Sequence, residues 1–213
     1  MIKQHKGTMI LTTVVMLLPV LVGLILWNRL PEQVPLHWNV AGEVDGWGSR
    51  EMLVFYLPLL LIGLQWLAAF VTGLDPKNKG QTVKAMGLAL WSCPLILLVL
   101  STFCYVNAMG YDIQVQIVAP LFVGLLFILI GNYLPKCKRN YTIGIKLPWT
   151  LSSDDNWNKT HRMAGKIWTL GGAAMVATAV FGNFIILFGI LAVMALVPIV
   201  YSYIYYRKHE LDQ

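Results

Sequence analysis

Charged side chains are scarce in this chain of 213 residues, since Asp, Glu, Lys and Arg together make up only 12% of it. An ordinary soluble domain carries about twice that share. Hydrophobic residues reach 57%, and the mean hydropathy is +0.65. This balance excludes a disordered protein, a coiled coil and an ordinary soluble enzyme, and it predicts a polytopic membrane protein.

Cysteine is also scarce, with three residues and no CxxC pair. A disulfide framework and a structural zinc site are therefore not expected. His37, Glu43 and Asp45 lie close in sequence, but one histidine with two loosely spaced carboxylates is a weak ligand set. We expect no metal and no cofactor.

Long stretches without charge show where a bilayer can lie. A spanning helix needs about 20 mostly apolar residues. Five such stretches occur, and the last is long enough for two helices with a turn at Gly182-Asn183. The sequence therefore predicts an all-α polytopic fold with six transmembrane helices, at about 9–30, 52–73, 85–107, 113–134, 164–181 and 184–206.

The sixteen Lys and Arg residues orient these spans, because six alternating helices place fourteen of them on one side. Only Arg29 and Arg50 fall on the other side. The positive-inside rule makes the basic side cytoplasmic, with both termini inside a bacterial cell membrane. The basic isoelectric point then indicates contact with anionic lipid and not with nucleic acid.

A short internal repeat suggests two halves. Asn28-Arg-Leu-Pro31 ends the first helix, and Asn132-Tyr-Leu-Pro135 ends the fourth. Three helices per half would form a 3+3 inverted repeat. The predicted halves are 1–110, with an outer loop at 31–50, and 111–213, with an inner loop at 135–163.

The outer loop is extended by two prolines and marked for turns at Gly42 and Asp45-Gly46. Its apolar side chains should pack on the helix ends. A hydrogen-bonded cluster of His37, Asn39 and Asp45 would either receive an external ligand or stabilise a lid that caps the bundle. The candidate ligand-binding residues are His37, Trp38, Asn39, Gly42, Asp45 and Gly46.

The inner loop holds a second set of candidates. Alternation over 141–146 predicts a short strand, and Ser152 with Asp155 predicts a helix start. Trp157, His161 and Ala164 should share one face of that helix, which continues as the fifth span. His161 is either a proton donor or, more in keeping with its neighbours, a structural hydrogen-bond partner. The candidate partner-binding residues are Lys136, Asn140, Tyr141, Gly144, Trp149, Trp157, Lys159, His161 and Arg162.

The spans contain no Asp, Glu, Lys, Arg or His deep in the membrane, which disfavours a proton pump or ion-coupled carrier. The fifth span is instead rich in small residues over Gly171–Ala174, and the fourth carries Gly124 and Gly131. Small residues allow close backbone approach, so the fifth helix should be central.

Two stretches resemble known families. Leu30-Pro31, Pro35, His37-Trp38-Asn39, Gly42 and Asp45-Gly46 resemble a small membrane domain that often precedes the SdpI-type domain of bacterial immunity proteins. A second motif resembles the core of the SdpI family, and its parts are Gly131–Lys136, Asn140-Tyr141, Gly144-Ile145, Pro148–Ser152, Trp157, Lys159–Arg162, Gly165 and Trp168.

This resemblance implies a protein that protects a bacterium from a secreted toxic peptide outside and holds a winged-helix repressor at the membrane inside. A small transporter or flippase of peptide or lipid is the alternative. A membrane enzyme is not expected, because His37 and His161 lie on opposite predicted sides and no nucleophile–base pair shares one depth.

Overall fold

The computed structural model describes residues 5–77 and 83–210. Its helices are α1 (Lys6–Leu26), α2 (Leu57–Leu74), α3 (Val83–Ala108), α4 (Val115–Tyr133), α5 (Pro148–Ser152), α6 (Asp154–Thr178) and α7 (Phe184–His209). A π-helix (Met52–Tyr56) leads into α2, and short 3-10 helices follow α4 (Leu134–Lys136) and α6 (Ala179–Phe181). Two strands, β1 (Gln33–Trp38) and β2 (Val44–Ser49), separate α1 from α2.

Six helices in the described residues are long and apolar enough to cross a membrane. The predicted all-α fold with six spans is therefore confirmed. The first span ends at Leu26 and not at residue 30, because the chain already turns over 27–30 ahead of Pro31. The predicted turn before the last span is confirmed as well: Gly182 adopts a left-handed φ of 57°, and the Asn183 side chain caps α7.

The chain divides into two compact units. The first comprises Met1–Gly73 with Gly87–Val118, and the second comprises Leu74–Met86 with Ala119–Gln213. The predicted division at residue 110 and the inverted repeat stay predictions.

In the first unit, α1 packs closely against the π-helix that leads into α2, against α2 itself and against the end of α3. A Cβ at Gly23 would lie 2.5 Å from the Tyr105 hydroxyl oxygen and 2.6 Å from a Val54 methyl. That hydroxyl donates to the Pro19 carbonyl oxygen at 2.8 Å. Nearer the other end of α1, Gln65 Nε2 donates to Thr12 Oγ1 at 2.6 Å. Glycine at position 23 thus lets two side chains reach the α1 backbone.

In the second unit, α6 contacts both α4 and α7, as its small residues predicted. A Cβ on Gly172 would lie 2.5 Å from the Gly124 carbonyl oxygen, and one on Gly165 would lie 2.7 Å from the Gly131 carbonyl oxygen. On the α7 side, Trp168 Nε1 donates to the Met194 carbonyl oxygen at 2.9 Å. The backbones of α4 and α6 therefore touch at two levels.

Candidate functional site

The predicted outer loop folds as an antiparallel β-hairpin of β1 and β2. Its turn lies at Asn39–Glu43, where Gly42 has a φ of +79°. The turn predicted at Asp45-Gly46 is wrong, because both residues belong to β2 and Gly46 pairs with His37. A Cβ on Gly46 would lie 2.7 Å from His37 Cβ, so glycine there makes room for the histidine across the pair.

Asn39 organises the hairpin turn. Its Oδ1 accepts hydrogen bonds from the Ala41 and Glu43 backbone amides at 2.9 and 3.0 Å. Its Nδ2 donates to the Glu43 carboxylate at 3.1 Å. The Gln116 side chain also donates to the Ala41 carbonyl oxygen. Asn39 therefore stabilises the turn and does not join the predicted cluster with His37 and Asp45.

His37 and Asp45 do pair across the hairpin, with 2.5 Å between Nδ1 and Oδ1. The two side chains are 72% and 43% exposed. Solvent weakens such an ion pair, so its contribution to stability is small. The pair is accessible to a ligand, and its binding role stays a prediction.

The other face of the hairpin packs on the helices. Val34 is fully buried, and the Trp38 ring meets Phe103 edge-on with 4.7 Å between ring centroids. The predicted packing of the apolar loop residues is confirmed for these positions. Trp47 differs, since it remains 61% exposed.

The described residues hold no group of three or more His, Cys, Asp and Glu side chains that could bind a metal ion. Glu43 bonds to Asn39 and so is not directed at the His37–Asp45 pair. Burial also raises the pKa of the Cys137 thiol, which disfavours the thiolate that metals require.

The inner segment, residues 136–162, is built around buried Asn140. Its Oδ1 accepts from the Thr142 and Ile143 amides at 2.8 and 2.6 Å, and its Nδ2 donates to the Lys138 and Ile143 carbonyl oxygens. The strand predicted over 141–146 is wrong, because these bonds curl the backbone and Gly144 turns it further with a φ of +118°.

Trp157 and His161 form the buried centre of the inner segment. Their rings stack with centroids 3.9 Å apart. Trp157 Nε1 donates to the Cys137 carbonyl oxygen at 2.8 Å. His161 Nε2 accepts from the Ile145 amide at 3.0 Å, so Nδ1 carries the hydrogen that is donated to the Trp157 carbonyl oxygen at 2.8 Å.

This arrangement favours His161 as a structural partner over a proton donor, since both ring nitrogens are used and the residue is fully buried. Gly144 belongs to the same centre. A Cβ there would lie 2.5 Å from His161 Nε2. The predicted shared face of Trp157, His161 and Ala164 is confirmed, because all three are fully buried.

The start of α6 differs from the prediction by one residue. Ser153 is the N-cap, and its Oγ accepts from the Asn156 amide at 3.2 Å. Ser152 instead ends α5, and its hydroxyl donates to the Trp149 carbonyl oxygen. Arg139 fixes this junction by donating to the Leu151 carbonyl oxygen at 2.7 Å and pairing with Asp154 at 2.6 Å.

Sequence reasoning did not identify three residues that hold the inner segment in place, which are Asp75, Asn156 and Ser202. Asp75, which follows α2, accepts from the Tyr141 amide at 2.7 Å. Asn156 donates to the Ser202 carbonyl oxygen, and Trp149 Nε1 donates to the Ser202 hydroxyl at 2.9 Å. The only available signal was a polar residue at the end of an apolar span, and that signal does not identify a partner far along the chain.

Among the other inner candidates, Trp149 is half-buried, and the exposed ones are Lys136, Tyr141, Lys159 and Arg162. Lys136 lies over the Tyr133 ring, and Lys77 lies over the Tyr141 ring. Lys159 bonds to the Tyr205 hydroxyl at 2.6 Å and pairs with Asp155.

Arg162 is exposed on α6, and Lys166 follows it at i+4 spacing on the same exposed face. The inner segment thus combines a buried polar framework with an exposed basic surface.

These features define a multi-pass membrane protein with a structured hairpin in its first unit and a polar segment in its second. Two family models match it: a domain of unknown function (DUF1648) at residues 14–62 and the SdpI/YfhL protein family at residues 136–202. The C-terminal region is thus similar to the SdpI/YfhL protein family, and the region that holds the hairpin is similar to the DUF1648 domain.

A curated protein is similar over most of the chain. The chain is 26% identical over 202 residues to immunity protein SdpI of Bacillus subtilis (strain 168). The alignment covers 93% of this chain and 96% of the relative. No solved structure matches.

Proposed function

We propose that this chain is an immunity protein of the bacterial cytoplasmic membrane, which protects its cell from a secreted antimicrobial peptide. The observation that carries the proposal is the similarity to immunity protein SdpI over 93% of the chain, which includes the hairpin and most of the inner segment. That similarity supports a shared role and not only a shared fold.

The hairpin would meet the peptide. Its accessible surface offers the His37–Asp45 pair beside exposed Trp47 and Val40. An apolar ring next to a carboxylate suits a peptide that has apolar and cationic side chains. Trp38 would act indirectly, since its packing on Phe103 fixes the position of β1.

The inner segment would hold a cytoplasmic partner, for which a winged-helix repressor is our candidate. The buried framework of Asn140, Trp157 and His161 keeps the segment in one conformation. Exposed Arg162 and Lys166 then present positive charge on a rigid helix. An acidic surface on the partner would complement them.

The experiment is to replace SdpI in Bacillus subtilis with this chain and to grow the strain with its toxin-producing parent. Survival above that of the deletion strain would support immunity. We would also challenge the strain with secreted peptides encoded beside this chain's own gene. The proposal fails if the protein accumulates in the membrane but protects against none of these peptides.

Two pairs of variants separate the proposed surfaces. Trp47→Ala should lower protection, whereas Tyr111→Ala, which removes an equally exposed ring outside the hairpin, should not. Arg162→Ala should weaken membrane capture of the co-expressed repressor, whereas Arg207→Ala should not. Equal effects within either pair would contradict the surface assigned to it.

A further inference from the structure

A slot lies below the hairpin in the first unit, with a volume of about 660 Å³. Leu36 and Trp38 of β1 form its roof. Met52, Tyr56 and Leu60 form one wall, and Leu100 and Cys104 of α3 form the other. The slot is therefore at the end of the spans that adjoins the hairpin.

The lining of the slot is almost wholly apolar, and the polar groups among the side chains just named are the Trp38 indole N–H, the Tyr56 hydroxyl and the Cys104 thiol. The π-helix Met52–Tyr56 supplies part of one wall. Single π-turns within helices are frequent at functional sites. Here the wider turn lies directly beneath the hairpin roof.

The slot is continuous with the surface that the spans present to lipid. Its wall residue Leu60 is 59% exposed, and the neighbouring Leu59 and Tyr56 are exposed too. Because α2 is long and apolar enough to cross the bilayer, this exposed face meets hydrocarbon. An occupant can enter sideways from the membrane.

The chemistry of the slot selects among occupants. An extended peptide would bring backbone N–H and C=O groups that need partners inside a membrane, and an apolar lining provides almost none. A helix is about 10 Å wide with its side chains, so 660 Å³ would enclose only about one and a half turns of it. A hydrocarbon chain needs no hydrogen-bond partners and is much narrower than a helix.

We propose that this slot binds one acyl chain of a lipid from the leaflet that adjoins the hairpin. The lipid would support the hairpin from below by filling the space under Leu36 and Trp38. Its headgroup would lie at the level of the hairpin, beside the first residues of the π-helix.

The test uses the full-length protein in liposomes of phosphatidylglycerol and phosphatidylethanolamine, with a trace of lipid that carries a diazirine midway along one acyl chain. After irradiation, mass spectrometry locates the adducts. We expect them to concentrate on 56–60 and 100–104. Native mass spectrometry in mild detergent should show one retained lipid per chain.

Two matched variants test the site. Leu60→Trp fills the slot, whereas Leu67→Trp adds the same ring on α2 at a similarly exposed position, 57% against 59%. Leu60→Trp should reduce the slot adducts about tenfold, which corresponds to about 1.4 kcal/mol of binding free energy. Leu67→Trp should leave them unchanged.

Adducts spread evenly along exposed α2 would overturn the proposal, because they would indicate ordinary surrounding lipid. A retained mass that matches a peptide would also overturn it. If Leu60→Trp does not accumulate, Leu100→Phe narrows the slot from the α3 wall, and unchanged adducts in that variant would equally refute a bound chain.

Discussion

The contact between α4 and α6 gives the sharpest stability prediction. In Gly172→Ala, the new methyl carbon would lie 2.5 Å from the Gly124 carbonyl oxygen and 2.9 Å from the Ile128 amide nitrogen. Ordinary van der Waals contact begins at 3.4 Å. The two backbones must therefore separate by about 0.9 Å, the difference between 3.4 and 2.5 Å, and no side chain can absorb the shift.

Overpacking of this kind costs about 3 kcal/mol at the upper end of the usual range, because the obstacle is backbone. Alanine returns about 1 kcal/mol through its better helix propensity. The free energy of unfolding therefore falls by about 2 kcal/mol, which lowers the melting temperature of a chain of this size by roughly 4–8 °C.

The assay is thermal unfolding of the purified protein in detergent, followed by tryptophan fluorescence. Gly189→Ala is the matched control, since a Cβ at Gly189 would meet nothing within 4 Å. It should be as stable as the parent protein or slightly more stable. If Gly172→Ala melts at or above the temperature of Gly189→Ala, the inferred backbone contact is wrong.

Three further predictions follow from the two loops. Asn140→Ala should lower the free energy of unfolding by about 2–4 kcal/mol and speed proteolysis of the inner segment, because several partly buried backbone groups lose their partner. Unchanged cleavage kinetics would argue against the framework. His37→Ala should change the melting temperature little, since its pair with Asp45 is exposed, yet it should reduce protection in the co-culture assay; full protection would exclude the pair from peptide binding. Single cysteines at Ala41 and Lys138 should react with an impermeant maleimide from outside and inside the cell, respectively, and labelling of Lys138→Cys from outside would refute the predicted topology.

Sequence reasoning located the spans because the bilayer imposes a simple rule. Charged side chains are excluded from the hydrocarbon layer, so stretches without charged residues mark the spanning helices. The extension of α6 into the inner segment was also predictable, since Trp157, His161 and Ala164 recur at helical spacing before the apolar run begins. These features depend on residues close together in sequence.

The hairpin was harder to predict, because β2 contains Gly46 and Gly48 and β1 contains a proline. These residues have low strand propensity, and the pairing depends on packing beneath the strands. The strand predicted at 141–146 is wrong for the opposite reason, because there the sequence pattern favours a strand and a local contact prevents it. Its alternation is real, but one side chain, Asn140, captures the backbone groups that a strand would have used.

Some of the predicted binding residues are buried and others are exposed, and residue type alone does not predict which. Asn140 and His161 are both polar and both belong to the resembling motif, yet each is fully buried and satisfied. Arg162, which directly follows His161, is exposed. Helical phase decides this difference, because His161 shares the buried face with Trp157 and Ala164, whereas Arg162 lies on the next stripe of the helix.

The carboxylate of Asp75 has a practical consequence for chimeras between relatives. It accepts hydrogen bonds from Tyr141 and Thr142, although it lies outside both matched family regions, 14–62 and 136–202. A chimera joined at residue 110 would pair the inner segment of one parent with the acceptor of another. Chimeras made to exchange specificity should therefore transfer residues 74–77 together with the C-terminal half. Otherwise the Tyr141 amide and the Thr142 hydroxyl of the grafted segment would lose the carboxylate that accepts their hydrogen bonds.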